Sequence, residues 1–282
     1  MAIQVEPIEA GLGARIWNVN LSAPLSGSDF DAVHRAWLDH LILVFPAQQA
    51  MTPADQISFC RRFGALEVHG LSRYALAGNP EVYVVSNVVE NGKPVGAAKS
   101  GRFWHTDMSY IAEPPMGSFL RSVEIPSKDG DTMFANMYAA YDTLPESTKR
   151  KIAGLKVLHS RVKPYPEWFP DRPPLSDEEK AKLPDVIHPL VRTHPETGRK
   201  ALYLGGRPAW EIVGMPFDEG RALLRELTEH AVQDQFVYRH RWTLGDAVLW
   251  DNRCAMHMAT PFDDENERRI MHRVTIAGDR PF

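Results

Sequence analysis

The residue types best suited to chemistry in this chain are a histidine and an aspartate two positions apart. They are His105 and Asp107, in the run Phe103-Trp104-His105-Thr106-Asp107, with a second histidine, His257, far along the chain. On a strand, side chains at i and i+2 project to the same face, so His105 and Asp107 can offer an imidazole nitrogen and a carboxylate oxygen to one ion. An H-x-D triplet arises about once by chance in a chain with this much His and Asp, so the pair alone carries little. His257 follows a strand-like run, Ala247-Val248-Leu249-Trp250, and a turn, Asp251-Asn252-Arg253. Two histidines and one carboxylate on one face of an octahedron leave positions open, which suits non-haem iron(II) and O₂. Structural zinc would favour cysteine and a closed shell.

Two arginines follow on the last strand-like run. Strict alternation puts Arg269, Met271, Arg273 and Thr275 on one face and Ile270, His272, Val274 and Ile276 on the other. Four residues at about 3.3 Å each separate the two cations by roughly 13 Å, too far for one carboxylate but suited to two anions. The same alternation makes His272 structural.

These residues need a scaffold. Ser28–His40 reads as a helix with Phe30, Val33, Ala36 and Trp37 on one side, and Leu41–Phe45 as a buried strand. Thr52-Pro53 opens a second helix, hydroxyl at N-cap and proline at N1, and Gly64 is placed to end it. From Val82 onward strands dominate: Val82–Val85, Ser118–Leu120, Ala201–Leu204, Phe236–Tyr238, Ala247–Trp250 and Ile270–Ile276. Helical stretches are expected over Ala135–Leu155, broken at Pro145, and over Pro216–Val232. The pattern predicts a mainly β fold with flanking helices, a double-sheet jelly roll, as a single domain over 1–282. The proline-rich segment 160–189, with Tyr165, Trp168 and Phe169, reads either as a solvated surface loop or as a lid over a site.

Composition excludes other classes. Basic and acidic residues number 32 and 36, for a formal net charge of −4, and no Lys/Arg block marks a nucleic-acid surface. Cys60 and Cys254 are the only cysteines, which is no disulfide framework. With no secretory-type N-terminus and no membrane-length apolar run, the expected location is the cytoplasm, with no membrane partner.

Taken together, Trp104-His105-Thr106-Asp107, Gly130-Asp131-Thr132, Ala139-Ala140-Tyr141, His188-Pro189-Leu190-Val191, Thr193-His194-Pro195-Glu196-Thr197-Gly198-Arg199-Lys200, Trp250-Asp251-Asn252-Arg253 and Arg268-Arg269-Ile270-Met271-His272-Arg273 resemble the taurine dioxygenase/2,4-dichlorophenoxyacetate dioxygenase family over nearly the whole chain. The resemblance implies a double-stranded β-helix with iron(II) held by His105, Asp107 and His257. It also implies 2-oxoglutarate as co-substrate, its distal carboxylate on Thr132 and Arg269, and O₂ as the oxidant. His69 and Arg273 match positions that grip a sulfonate or other anion in the family, and members are commonly homo-oligomers.

Two positions depart from the taurine branch: Gly101 stands where an asparagine is found, and Ser72 where a tyrosine is found. The expected activity is hydroxylation of a small anionic organic substrate, with succinate and CO₂ as co-products. A metal-dependent hydrolase using the same ligands, or a non-catalytic metabolite sensor, are the competing readings; the first leaves Thr132 and Arg269 without a role, and the second is expected to lose a ligand where all three are present.

Overall fold

The apolar strand runs pair into one large sheet that carries most of the fold. In spatial order it joins Gln4–Pro7, Ala14–Trp17, Ile42–Phe45, Ala247–Asp251, Gly117–Glu124, Ile270–Ile276, Asn79–Ser86 and Ala75–Leu76, with Leu66–Glu67 added beside Ile270–Ile276. Every pairing in it is antiparallel except Ala14–Trp17 with Ile42–Phe45. The computed structural model describes residues 2–8, 11–68, 74–168 and 173–282.

A second, three-stranded sheet runs Val237–His240, Thr132–Asn136, Ala255–Ala259. Its register sets Phe134 opposite both His257 and Tyr238, and Thr132 opposite Ala259 and His240. The two sheets share a core in which Leu120, Val248, Trp250 and Met271 of the large sheet meet Phe134, Tyr238 and Met256 of the small one. Phe134 and Trp250 lie 5.6 Å apart across it.

The other face of the large sheet is covered by two helices. Gly27–His40 starts at Ser26, whose hydroxyl accepts from the Asp29 amide, and Leu41 closes it at a left-handed φ of 66°. Trp37, fully buried, packs with Phe59, Phe119, Val274 and Ile276 in this second core. Burying one such side chain stabilises by about 1.5–3 kcal/mol. Pro53–Arg61 begins with the expected Thr52 cap, and Asp55 returns the bond to the Thr52 amide, making a capping box. It stops at Arg61, before Gly64. Phe217–Ala231 buries Leu223, Leu224, Leu227 and Ala231, the face read from the sequence.

Some expected boundaries move. Ala135 belongs to strand Thr132–Asn136, and helix begins only at Met137, where the Asn136 side chain caps the Tyr138 and Ala139 amides. Pro145 then separates Met137–Asp142 from Glu146–Ile152 as expected. Phe236 ends a 3₁₀ turn rather than opening a strand, and the Ala201–Leu204 run is strand only through Leu202. Within 160–189 the chain forms the short helices Tyr165–Trp168 and Asp177–Ala181 and the strand Val186–Pro189, so it is not a plain loop. Phe169, one of the aromatics behind the lid reading, lies outside the described residues. No helix among the described residues is long and apolar enough to cross a membrane.

Candidate metal centre

His105, Asp107 and His257 converge, each offering one ligand atom within 4.8 Å of the others. His257 comes from strand Ala255–Ala259, and His105 is tied to it by reciprocal backbone bonds of 3.0 and 2.8 Å. The expected strand through His105 and Asp107 is not there. His105 makes only isolated bridges, to His257 and Gly206, and the chain turns at Asp107. One extended residue is enough to aim both side chains the same way.

Gly206 makes that bridge possible. A Cβ on it would lie 2.2 Å from the Trp104 carbonyl oxygen and 2.9 Å from the His105 Cα, at a φ of +77° that side chains rarely adopt.

The ring nitrogens are set for a metal. His105 Nδ1 lies 2.8 Å from the Phe103 carbonyl, which can only accept, so Nδ1 carries the proton and Nε2 keeps its lone pair. That Nε2 is 3.8 Å from Asp107 Oδ1, and His257 Nε2 is 3.8 Å from Asp107 Oδ2. Burial lowers the pKa of both imidazoles, Asp107 offsetting this only in part, so both are neutral ligands. Burial alone would raise the Asp107 carboxyl. Arg273 and the Ser118 hydrogen bond counter it and hold the group well below the usual carboxylate range. A converging neutral–neutral–anionic donor set, with Asp107 and His257 buried and His105 partly so, fits a divalent cation.

Asp107 is held by two donors. Ser118 Oγ donates to Oδ2 at 2.7 Å, and Arg273 donates to Oδ1 at 3.0 Å. Ser118 Oγ in turn accepts from Asn252 Nδ2 at 3.1 Å, and Asn252 Oδ1 accepts from the Trp250 indole at 2.9 Å. Sequence reasoning found Trp250-Asp251-Asn252 only as a landmark and passed over Ser118. The available signal was alternation: Ser118 shares a strand face with Leu120, which faces the shared core.

A second cluster, His194, Asp251 and Cys254, has metal-like spacing. Its protons argue otherwise. His194 Nδ1 accepts from the Glu196 and Thr197 amides, so Nε2 carries the proton and donates to Asp251 at 3.0 Å. Arg253 takes both oxygens of Asp251, at 2.9 and 2.7 Å, and burial raises the Cys254 thiol. No lone pair faces an ion; this is a buried salt-bridge network.

Arg269 is 7% exposed, has no carboxylate partner among the described residues, and its Nε lacks any hydrogen bond. Burial, with Arg102 adding to it and Asp131 offsetting it, pushes its pKa down to about 10. Its amide donates to Asn87 Oδ1, while Asn87 Nδ2 donates to the Asp264 and Glu267 carbonyls, fixing the turn that delivers the arginine. Arg269 lines a cavity with Val85, Asn87, Lys99, Arg102 and Phe262. Gly130, at a left-handed φ of +69°, makes the turn that packs beside the arginine's Cδ and Nε. Thr132, buried two residues on, accepts from the Trp242 indole at 3.0 Å and keeps its own hydroxyl proton to donate.

Strict alternation does not set Arg269 and Arg273 on one strand face. The strand begins at Ile270 and is irregular between Ile270 and Met271, so Arg269 precedes a bulge and is not carried by the alternation. From Met271 onward it holds: Met271 enters the inter-sheet core, and Val274 and Ile276 the outer one. His272 is buried, and its backbone carbonyl accepts from Gln56. Arg273 sits opposite Tyr83, 5.1 Å over its ring. His69 lies outside the described residues. Gly101 presses on the centre, since a Cβ there would be 3.1 Å from His105 Cε1, at a φ of +71°.

A profile of the Taurine catabolism dioxygenase TauD, TfdA family matches residues 4–275. The chain belongs to this family. It is 34% identical over 289 residues, covering 98% of both chains, to the alpha-ketoglutarate-dependent 2,4-dichlorophenoxyacetate dioxygenase of Cupriavidus pinatubonensis. It is 32% identical to an alpha-ketoglutarate-dependent sulfate ester dioxygenase of Pseudomonas putida, covering 100% of this chain and 91% of that one. The crystal structure of AAD-2 in complex with Mn(II) and N-oxalylglycine superimposes with a TM-score of 0.85 at 34% identity, covering 100% and 99% of the two chains. The protein is thus a non-haem iron oxidoreductase of the 2-oxoglutarate-dependent dioxygenases, whose reaction uses Fe(II), 2-oxoglutarate and O₂.

Proposed function

We propose that this dioxygenase hydroxylates a small organic anion, a sulfonate or carboxylate, while 2-oxoglutarate is converted to succinate and CO₂. The reading is carried by one observation: two imidazoles and one carboxylate converge beside Arg273, while the unpaired Arg269 lines a neighbouring cavity. In this reading His105, Asp107 and His257 hold iron(II), which when bound supplies the activation of O₂. One oxygen atom enters the substrate C–H bond and the other ends in succinate, so the atoms balance.

The chain's own residues do the rest. Arg269 presents a planar fork to the distal carboxylate of 2-oxoglutarate and Thr132 adds a hydroxyl donor. Arg273, whose Nε is unpartnered, grips the substrate anion together with His69. Ser118 and Arg273 fix the Asp107 carboxylate, and Gly206 fixes the backbone of His105. The two facing sheets are read as the halves of a jelly roll forming one domain over 1–282. The free, buried Cys60 and Cys254 suit a reducing cytoplasm.

The test is succinate formation from 2-oxoglutarate with a panel of sulfonates, aryloxyalkanoates, sulfate esters and other organic acids. Stimulation that requires iron(II), O₂ and one of these acids is expected. Product formed without O₂ would point to a hydrolase, and ligand binding without succinate to a sensor.

A further inference from the structure

Three guanidiniums, tied to the metal ligands through Asp107 itself, through Gly206 and through the turn after Asp107, each rest on an aromatic ring. Arg273 stands 5.1 Å over Tyr83. Arg207 stands 4.2 Å over Phe103, whose ring is 5.2 Å from the His105 imidazole. Arg161 stands 5.0 Å over Tyr110 and donates to its hydroxyl at 2.8 Å. Tyr110 belongs to the turn that begins at Asp107. Burial raises the Tyr83 phenol, and Arg273 most and Arg161 less pull it back, so both cations act on the same ring.

Only Arg273 has an acidic partner, and that partner is Asp107. Among the described residues neither Arg161 nor Arg207 makes an ion pair. The charges near the ion then decide what fits. Iron(II) brings two positive charges, and Arg269 and Arg273 one each; Asp107 and the two carboxylates of 2-oxoglutarate bring three negative. One positive charge remains, and a single substrate anion neutralises it. Arg161 and Arg207 are cations beyond that need.

The two differ in how they are held. Arg207 is exposed, so its charge is screened within about 8–10 Å and acts on the approach of anions. Arg161 is half-buried and anchored, and because the Tyr110 hydroxyl accepts from it, the phenol keeps a proton to donate outward. A pre-oriented fork beside a phenol donor is a receptor for a carboxylate, sulfonate or sulfate.

Building on the function proposed above, we infer that the substrate carries two anionic groups, and that Arg161 with Tyr110 holds the one remote from the oxidised carbon while Arg273 holds the other. Arg161 is therefore a specificity-determining residue.

The test uses matched pairs that differ by one anion: phenoxyacetate with 4-carboxyphenoxyacetate, and hexanesulfonate with 6-sulfohexanoate. Binding is measured by titration calorimetry, without O₂, to the protein loaded with Mn(II) and N-oxalylglycine. In at least one pair the dianion should bind about tenfold or more tightly than the monoanion. Arg161→Gln should erase that preference and leave the monoanion Kd within about twofold, and Tyr110→Phe should reduce it about threefold. Arg207→Gln should slow association of both members alike, and only at low salt.

Dianions that bind no better than monoanions, or do not bind at all, overturn the inference. So does an Arg161→Gln variant that weakens both members equally. The broader reading fails separately, if no acid in the wider panel stimulates succinate formation or if Arg273→Gln leaves monoanion binding intact.

Discussion

Ser118→Ala is the sharpest perturbation of the centre that leaves every ligand in place. Ser118 is fully buried, donates to Asp107 Oδ2 at 2.7 Å and accepts from Asn252 Nδ2 at 3.1 Å. The alanine removes one of two donors on the carboxylate and strands a buried amide proton. A hydrogen bond to an ionised acceptor contributes about 1.5–3 kcal/mol, and an orphaned buried donor costs about 1–3 kcal/mol. Part of this falls on the folded protein whether or not metal is bound. The remainder falls on orientation of the ligand, where such supporting bonds change metal affinity about 10–100-fold. The variant should bind Mn(II) 10–100-fold more weakly in an anaerobic competition titration, while denaturant unfolding without metal shows a loss of about 1–3 kcal/mol. A Kd within twofold of the parent, alongside the stability loss, would show that Ser118 braces the fold and not the ligand.

Three further outcomes are expected. Arg269→Gln should raise the KM for 2-oxoglutarate about a hundredfold, and Arg269→Lys should rescue it only partly because lysine lacks the fork; equal KM values across the series would remove Arg269 from the co-substrate site. Gly206→Ala should weaken metal binding and destabilise by about 2 kcal/mol or more, since backbone atoms 2.2 and 2.9 Å from the new Cβ must move; a parent-like metal Kd would separate Gly206 from His105.

Burial pushes the pKa of His159 down to about 3 and that of His272 to about 4, with His188 adding to the first and Arg121 to the second. The unfolded chain, with histidines near 6.5, then binds more protons than the folded one between those values. Stability should be full above about pH 6.5 and fall as pH drops towards 4, by about 1.4 kcal/mol per unit for each group. His159→Leu should make that limb shallower, and an unchanged limb in pH-dependent urea unfolding would contradict it.

What the sequence revealed depended on how locally each feature is encoded. The Thr52 cap of the second helix and the apolar face of Phe217–Ala231 follow from spacing and one or two polar residues, and they were legible, whereas the first helix starts at Gly27 on a Ser26 cap and not at Ser28. The three metal ligands were legible as residue types, and their union rested on a resemblance, because nothing local ties His257 to His105. The bulge at Ile270/Met271 was not, since alternation continues through the residue letters while the backbone slips. Nor was the separation of Ala135 from the following helix, where an alanine fits either state and the Asn136 cap decides. Gly206 and Ser118 stayed hidden for a different reason: each matters only through a contact with a distant part of the chain.

The most direct test is an anomalous-difference map from crystals grown without O₂ in Mn(II) and N-oxalylglycine. One peak is expected, about 2 Å from His105 Nε2, a carboxylate oxygen of Asp107 and His257 Nε2, with the inhibitor's far carboxylate on Arg269. A peak at His194, Asp251 and Cys254 instead, or none between the two histidines and Asp107, would contradict the account.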